Sequence, residues 1–184
     1  MDTNIRIINV WDDPGGIDEG IIYIHGIWGR KENYEFYRDA ILHSCRNQSS
    51  HFPGQNQQDN PTHPKPEGLL KLGLPRFYLL LDQEEIIGCY ALLTNDLISR
   101  QDLYPWLGCL YVDEKHRGRQ LGSKLLAHGC QEARRLGFPK IYLTTDHDGY
   151  YERYSWIRME DGFNLFGEQG RIYFHTLTVT ELHN

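Results

Sequence analysis

Residues 110–126 read LYVDEKHRGRQLGSKLL. The apolar run that ends at Val112 predicts a buried strand, and residues 113–116 form a polar connection. The segment RGRQLG, residues 117–122, then opens a helix that the spacing of apolar residues predicts over 118–136. The first backbone amides of a helix have no partner within the helix and carry the positive end of its dipole. This stretch therefore predicts a site for a phosphate-bearing ligand.

Cationic side chains add to this prediction. Arg117, Arg119 and Lys124 are suited to phosphate oxygens. The P-loop pattern GxxxxGK[ST] would need a lysine directly after Gly122, where Ser123 stands, and the nucleotide pattern GxGxxG is absent. The simpler interpretation is that the glycines only help a helix to begin and to pack.

The other segments predict a mixed sheet with helices packed on it. Alternating or continuous apolar runs predict strands over 4–10, 76–81, 85–93, 106–112, 140–145, 163–166 and 171–178. Helical spacing of apolar residues predicts helices over 17–28, 33–45 and 118–136, and a short one over 149–154. The expected class is α/β (α+β), with a sheet of about six to seven strands flanked by helices.

Size and composition favour one globular domain. The chain has 184 residues, of which 40% are hydrophobic and 24% charged, so a single domain over residues 1–184 is expected. Residues 48–68, rich in Pro, Gln and Asn, predict a surface loop. A formal net charge of -6 argues against nucleic-acid binding, and no apolar run is long enough to span a membrane. Four dispersed cysteines without a CxxC pair favour the cytoplasm, and no metal site is expected.

A second motif follows the first. Residues 150–156 read YYERYSW. The two motifs together resemble the GNAT superfamily of N-acetyltransferases, whose helix-opening motif is Arg/Gln-x-x-Gly-x-Gly/Ala. Arg117 and Gly122 match its first and last positions, and Gln120 stands in place of the middle glycine. Residues 150–156 resemble the closing segment of that family, with Ser155 in place of its usual glycine.

The resemblance implies a mixed, mostly antiparallel sheet and acetyl-coenzyme A (acetyl-CoA) as cosubstrate. It implies that the strand segment over 108–112 holds the pantetheine arm through its main chain, and that the following turn binds the diphosphate. Tyr151 falls on the tyrosine that the family commonly uses as a general acid. The implied cosubstrate-binding residues are Leu110, Tyr111, Val112, Arg117, Gly118, Arg119, Gln120, Leu121, Gly122, Ser123 and Tyr151.

The chemistry also requires a general base, because an alkyl amine is mostly protonated at neutral pH. The central strand has no carboxylate, so the glutamate that some family members carry there is missing. His147 is the first candidate, since an ordinary histidine titrates near neutral pH. A chain of water molecules is an alternative, and the other candidates from the sequence are Asp96, Asp102, Asp146 and Asp148.

Two functions are expected from this resemblance. The first is transfer of an acetyl group from acetyl-CoA to a primary amine of a small molecule or peptide, by direct attack in a ternary complex. The second is a non-catalytic acyl-CoA-binding sensor or assembly module. The chain is expected to act as a monomer or homodimer without nucleic-acid or membrane partners. By resemblance, the aromatic residues Trp28, Tyr34, Phe36 and Tyr37 border the acceptor pocket, or they pack in the core.

Overall fold

Seven strands and three α-helices occur in the parts of the chain that the computed structural model describes, residues 4–46 and 73–177. The strands are β1 (Ile5–Asn9), β2 (Arg76–Asp82), β3 (Glu85–Leu93), β4 (Trp106–Val112), β5 (Lys140–Thr145), β6 (Ile157–Phe163) and β7 (Gln169–Thr176). The helices are α1 (Ile17–Trp28), α2 (Tyr34–Leu42) and α3 (Leu121–Arg135). The loop predicted over 48–68 lies outside the described residues.

The strands form one sheet in the order β1-β2-β3-β4-β5-β7-β6. Every neighbouring pair is antiparallel except β4 and β5, which are parallel. The predicted mixed, mostly antiparallel sheet is thus confirmed. The parallel pair is in register only at Trp106 and Tyr142, so the two central strands diverge beyond that point. The divergence opens the sheet at its middle.

Each face of the sheet carries its own apolar core. On one face, α3 buries Leu121 and Leu125 against residues that include Tyr90 and Leu107. On the other face, α1 and α2 bury residues that include Ile21, Ile24 and Ile41. The strands β2 and β3 lie between the two cores, which explains why almost all of their residues are buried.

The third helix begins three residues later than the sequence predicts. Gly118 has a φ of 79° and Gln120 a φ of 58°, so neither residue is helical, and α3 begins at Leu121. The turn before the helix is therefore longer and more open than the sequence alone indicates.

The strand predicted over 163–166 is wrong. The structure has β6 at Ile157–Phe163, followed by a turn. The Asn164 side chain accepts hydrogen bonds from the amides of Phe166 (2.9 Å) and Glu168 (3.0 Å), which bends the chain. The apolar residues Leu165 and Phe166 are on this turn rather than in the sheet.

Candidate functional site

A cleft of about 740 Å³ opens where β4 and β5 diverge. Its walls include Gly108, Cys109 and Leu110 from β4 and residues 143–145 from β5. This volume is within the usual range for small-molecule sites. The cleft is the place where the fold exposes main chain from the middle of its sheet.

A bulge in β4 shapes one wall of the cleft. Cys109 has a φ of 52°, and the register with β3 shifts between Cys89 and Ala91. Two residues, Cys109 and Leu110, therefore occupy the stretch opposite Tyr90. Such a bulge interrupts the ladder of hydrogen bonds and bends the strand, which here directs β4 away from β5.

The turn that precedes α3 leaves its backbone donors free. Among hydrogen bonds between described residues, none is donated by the amides of residues 118–123. The first amide with a partner is that of Lys124, which donates to the Gln120 carbonyl at 3.2 Å. A methyl group added to Gly118 would meet no atom within 4 Å. The six amides of residues 118–123, here called the amide cradle, are open to an anionic ligand.

The arginines near the amide cradle are partly engaged within the protein. Arg119 pairs with Asp82, both of its terminal nitrogens lying 3.2 Å from Oδ2. Arg117 donates from Nε to the Val112 carbonyl at 3.1 Å. Both arginines help to fix the turn, so an anion would be held mainly by backbone amides.

Tyr151 lies at the cleft beside the end of β5. Its side chain is buried and lines the cleft. Burial raises the pKa of Tyr151 above its ordinary value of 10.0, and a hydrogen bond with Thr145 partly offsets the effect. A phenol with a raised pKa keeps its proton at neutral pH and is available as a general acid to a thiolate that departs in the transition state.

Tyr150 connects Tyr151 to the amide cradle. The two rings are 5.0 Å apart in an edge-to-face arrangement. The Tyr150 hydroxyl lies 3.4 Å from the position of a methyl group added to Gly122. Sequence reasoning did not assign Tyr150 a role, although its place in the motif YYERYSW was a signal that could have identified it.

Asp96 is the carboxyl group in the cleft whose pKa is raised most above its ordinary value. It follows β3 and lines the cleft, with Oδ1 only 2.7 Å from where a methyl group on Gly108 would lie. Burial raises the pKa of Asp96 to about 7. No hydrogen bond from a described residue reaches its carboxylate. The side chain of Asn95 holds this loop by bonding both the amide and the carbonyl of Ile98.

The other acid–base candidates have different surroundings. His147 and Asp146 line the outer part of the cleft and are exposed, and the His147 amide donates to Thr145 Oγ1 at 3.0 Å. Asp148 is exposed and does not line the cleft. Asp102 pairs with Arg100 at 2.6 Å, and this bond lowers the pKa of Asp102 to about 2.

Aromatic and aliphatic residues line the remaining walls. Trp28 and Tyr37, two of the four aromatic residues expected at an acceptor pocket, line the cleft, and the Tyr37 hydroxyl donates to the Trp28 carbonyl at 3.0 Å. The sequence did not indicate that Leu97, Leu165 and Phe166 would join them. Their contribution depends on contacts between loops that lie far apart in the chain.

Two features typical of other protein classes are absent from the described residues. No helix among them is long and apolar enough to cross a membrane. Within residues 4–46 and 73–177, no group of three or more His, Cys, Asp or Glu side chains could hold a metal ion.

Comparisons with known proteins point in one direction. The model of the acetyltransferase (GNAT) family matches residues 41–155. No curated protein matches the chain significantly. Among solved structures, a GNAT family acetyltransferase from Elizabethkingia anophelis with acetyl-CoA bound is 16% identical, with a TM-score of 0.56 over 96% of this chain and 100% of that one.

Two further structures are similar. Aminoglycoside 6'-acetyltransferase type Ii is 17% identical, with a TM-score of 0.58 over 95% of this chain and 97% of that one. An acetyltransferase from Bacillus anthracis in complex with acetyl coenzyme A is 22% identical, with a TM-score of 0.46 over 55% of this chain. This chain spans 62% of the length of that protein, less than two thirds. The Elizabethkingia anophelis acetyltransferase and the aminoglycoside acetyltransferase, both with TM-scores above 0.5, share the fold of this chain.

Proposed function

The chain belongs to the acetyltransferase (GNAT) family, and from this premise we propose that it transfers an acetyl group from acetyl-CoA to a primary amine as a single domain over residues 1–184. The observation that carries the proposal is the amide cradle, whose six backbone donors bond to no described residue, on the turn that follows β4, a strand of the cleft wall. Backbone donors at a helix start bind phosphate groups without a dedicated side chain.

We infer that the cosubstrate lies across the sheet opening. The amides of Gly118, Arg119, Gln120, Leu121, Gly122 and Ser123 bind its diphosphate, with Arg117 fixing the turn. The main chain of residues 110–112, Leu110, Tyr111 and Val112, holds the pantetheine arm as an added strand would. The open space above Gly118 supports this arrangement, because a diphosphate needs close approach to the backbone.

Asp96 fits the role of general base better than His147. The acceptor reaches the protein as an ammonium ion and must lose a proton before its nitrogen can attack. A carboxylate whose pKa is about 7 accepts that proton near neutral pH, and Asp96 lines the inner part of the cleft. His147 is exposed at the outer part of the cleft, where its side chain is in contact with water.

The transfer then balances with the groups available. The acceptor nitrogen forms a bond to the acetyl carbon, and the bond from that carbon to sulfur breaks. In the proposed reaction, amides of the bulged strand stabilise the negative charge that develops on the acetyl oxygen. Tyr151 donates its hydroxyl proton to the departing sulfur. The amine nitrogen loses two protons, one to Asp96 and one to solvent. Asp96 then gives up its proton and Tyr151 regains one through solvent, so both groups are restored and one proton is released per turnover.

Four free cysteines support a location in a reducing compartment such as the cytoplasm. Cys45, Cys89, Cys109 and Cys130 all lie among the described residues, and none forms a disulfide. Reduced thiols are typical of that compartment.

The test of the proposed function is release of free thiol from acetyl-CoA in the presence of primary amines. The wild-type protein should release thiol in proportion to acetylated amine. Tyr151→Phe keeps the ring packing and removes the proton, so kcat should fall about 10²-fold or more while the Kd for coenzyme A stays within about twofold.

A non-catalytic acyl-CoA-binding module predicts a different result. Such a protein would bind coenzyme A with or without the Tyr151 hydroxyl, and no amine would increase thiol release. Binding without turnover across a broad amine panel would therefore favour the sensor function over the enzyme.

A further inference from the structure

The mouth of the cleft is made of exposed apolar side chains. Leu165 and Phe166 are each 79% exposed, Leu97 is 54% exposed and Trp28 is 44% exposed, and all four line the cleft. Most exposed apolar residues of a soluble protein are scattered singly, whereas a group around one opening marks a binding surface. We call these four residues the apolar mouth.

The fold holds the apolar mouth in place through contacts between two loops. The segment after β3 and the turn after β6 meet in a bridge between Ile98 and Asn164. The Ser99 amide donates to the Phe163 carbonyl at 2.8 Å, and the Phe163 amide donates to the Ser99 hydroxyl oxygen at 3.1 Å. These bonds bring Leu97 and the pair Leu165–Phe166 to one rim.

Leu97 carries an additional cost. Its φ is 54°, in the left-handed region that disfavours a side chain with a branched aliphatic body. An exposed leucine in that conformation has an unfavourable backbone free energy, and burial of its side chain does not offset this cost in the free protein. Backbone strain of this kind is concentrated at ligand sites, where contact with a ligand offsets it.

The charges at the cleft have one sign. Its carboxylates are Asp96, Asp146 and Glu168, and no lysine or arginine is among the described residues that line it. Arg171, on β7, directs Nη1 to the Asp146 carbonyl at 2.8 Å. An acceptor that carried its own carboxylate would be repelled here and would find no cationic partner.

Resting on the proposed function, we propose that the acceptor is a primary amine that has an apolar, preferably aromatic, body and no carboxylate. Its ammonium group is attracted to Asp96, and its apolar body lies against the apolar mouth. The exposed aromatic rings of Trp28 and Phe166 provide faces on which such a body can stack. Free amino acids are excluded by charge, and small alkyl amines bind weakly because they leave the mouth uncovered.

The test compares acceptors that differ in one feature. Phenethylamine, phenylalanine and phenylalanine amide share a ring and an amine, and only phenylalanine adds a negative charge. With kcat/KM referred to the ammonium form of each acceptor, the value should be about 100-fold lower for phenylalanine than for the other two, since repulsion at an interface costs several kcal/mol and each 1.4 kcal/mol is tenfold. Ethylamine should be at least about tenfold poorer than phenethylamine, because it lacks the apolar contacts.

Variants separate the two parts of the proposal. Phe166→Ser should reduce the preference for phenethylamine over ethylamine, whereas Ile157→Ser, at an exposed residue on β6 outside the cleft, should leave it unchanged. Glu168→Lys supplies a cation and should increase the use of phenylalanine relative to phenethylamine at least fivefold. Unchanged ratios in Phe166→Ser and Glu168→Lys would contradict the proposal.

The panel also separates this inference from the proposed function. If phenylalanine, spermidine or ethylamine is acetylated with a kcat/KM equal to that of phenethylamine, the protein is an acetyltransferase and the acceptor proposed here is wrong. If none of the amines increases thiol release although coenzyme A binds, the proposed function fails and this inference fails with it.

Discussion

A single carboxylate, Asp96, is expected to set how the activity depends on pH. Its pKa is about 7 because it is buried, so it is an effective base only above that pH. The productive pair is the Asp96 carboxylate with an ammonium acceptor. For the wild-type protein, kcat/KM should therefore rise up to about pH 7 and stay level until the acceptor loses its own proton, near pH 10 for an alkyl amine.

Replacing Asp96 should change the shape of that profile. In Asp96→Asn only the neutral amine can react, so kcat/KM should fall about 10²-fold or more at pH 7. It should then rise continuously with pH, without a level region. Asp102→Asn, at an exposed ion-paired residue, is the matched control and should keep the wild-type profile. A level region that persists in Asp96→Asn would remove Asp96 from the mechanism.

The same variant has a second readout in stability. The folded-state pKa of Asp96 lies above the ordinary value of 3.8, so folding favours the protonated carboxyl. Stability is therefore lost as the pH rises from about 4 through about 7, because the buried group must ionise. Asparagine avoids this cost. The Tm of Asp96→Asn should exceed that of the wild type more at pH 8 than at pH 4, and an equal difference at both would contradict the raised pKa.

Gln120 explains why a glycine is usual at its position in the family motif. Its φ of 58° and ψ of 21° are left-handed, which costs a non-glycine residue roughly 1–2 kcal/mol. Gln120→Gly should therefore raise the free energy of unfolding by about 1 kcal/mol in urea. The same change at the exposed helical residue Gln131 should lower it by a similar amount, about 0.8–1.0 kcal/mol. Equal effects of the two changes would show that the strain is absent.

At the scale of elements, the approach of α3 to the sheet depends on a small residue. A methyl group on Gly129 would lie 2.6 Å from Cδ1 of the buried Leu107, so Gly129→Ala forces the helix or the core to shift. Overpacking of this kind costs about 1–3 kcal/mol. Gly26 of α1 is exposed with no atom within 4 Å of an added methyl group, and Gly26→Ala should instead stabilise by about 1 kcal/mol.

Urea denaturation of the two alanine variants measures this contrast. Both changes improve helix propensity, so propensity alone predicts that both stabilise. Opposite signs support close packing of α3 on β4. If Gly129→Ala were as stabilising as Gly26→Ala, the helix would not be in contact with Leu107.

The sequence predicted most elements because their local signals agree with their final environment. The helix α1 was predicted at its observed bounds, since its apolar residues follow helical spacing and Gly16 and Gly29 flank it. All of β6 except Phe163 was missed because it is an edge strand whose residues are mostly exposed and include Arg158, Glu160 and Asp161. Because Leu165 and Phe166 are apolar, the strand was predicted over 163–166, which is further along the chain than the observed β6.

At the scale of the whole molecule, the two motifs pointed to Leu110 and Tyr151, which line the cleft, and to the turn before α3. They lie close in sequence, and each falls on the element that was expected for it. The acceptor half was not predictable in the same way. Asp96 and Leu97 meet the turn at Leu165 and Phe166 only because the sheet order brings β7 and β6 beyond β5. Nor does a sequence report burial, which raises the pKa of Asp96 to about 7.

The proposed function depends most on binding of the coenzyme A diphosphate by the amide cradle. Ser123→Asp places a negative charge at the cradle. It should leave the helix stable, because a carboxylate in the first turn is favourable by about 0.3–1 kcal/mol, but it should repel a diphosphate. The matched control is Gln131→Glu, which adds the same charge to α3 eight residues further on, about 12 Å away.

Calorimetric titration of coenzyme A into the wild-type protein and these two variants is the most direct measurement. We expect measurable binding to the wild type and to Gln131→Glu with similar Kd, and at least a tenfold higher Kd for Ser123→Asp with an unchanged or higher Tm. Absence of binding heat for the wild type at millimolar coenzyme A, or equal Kd values for all three proteins, would contradict this expectation.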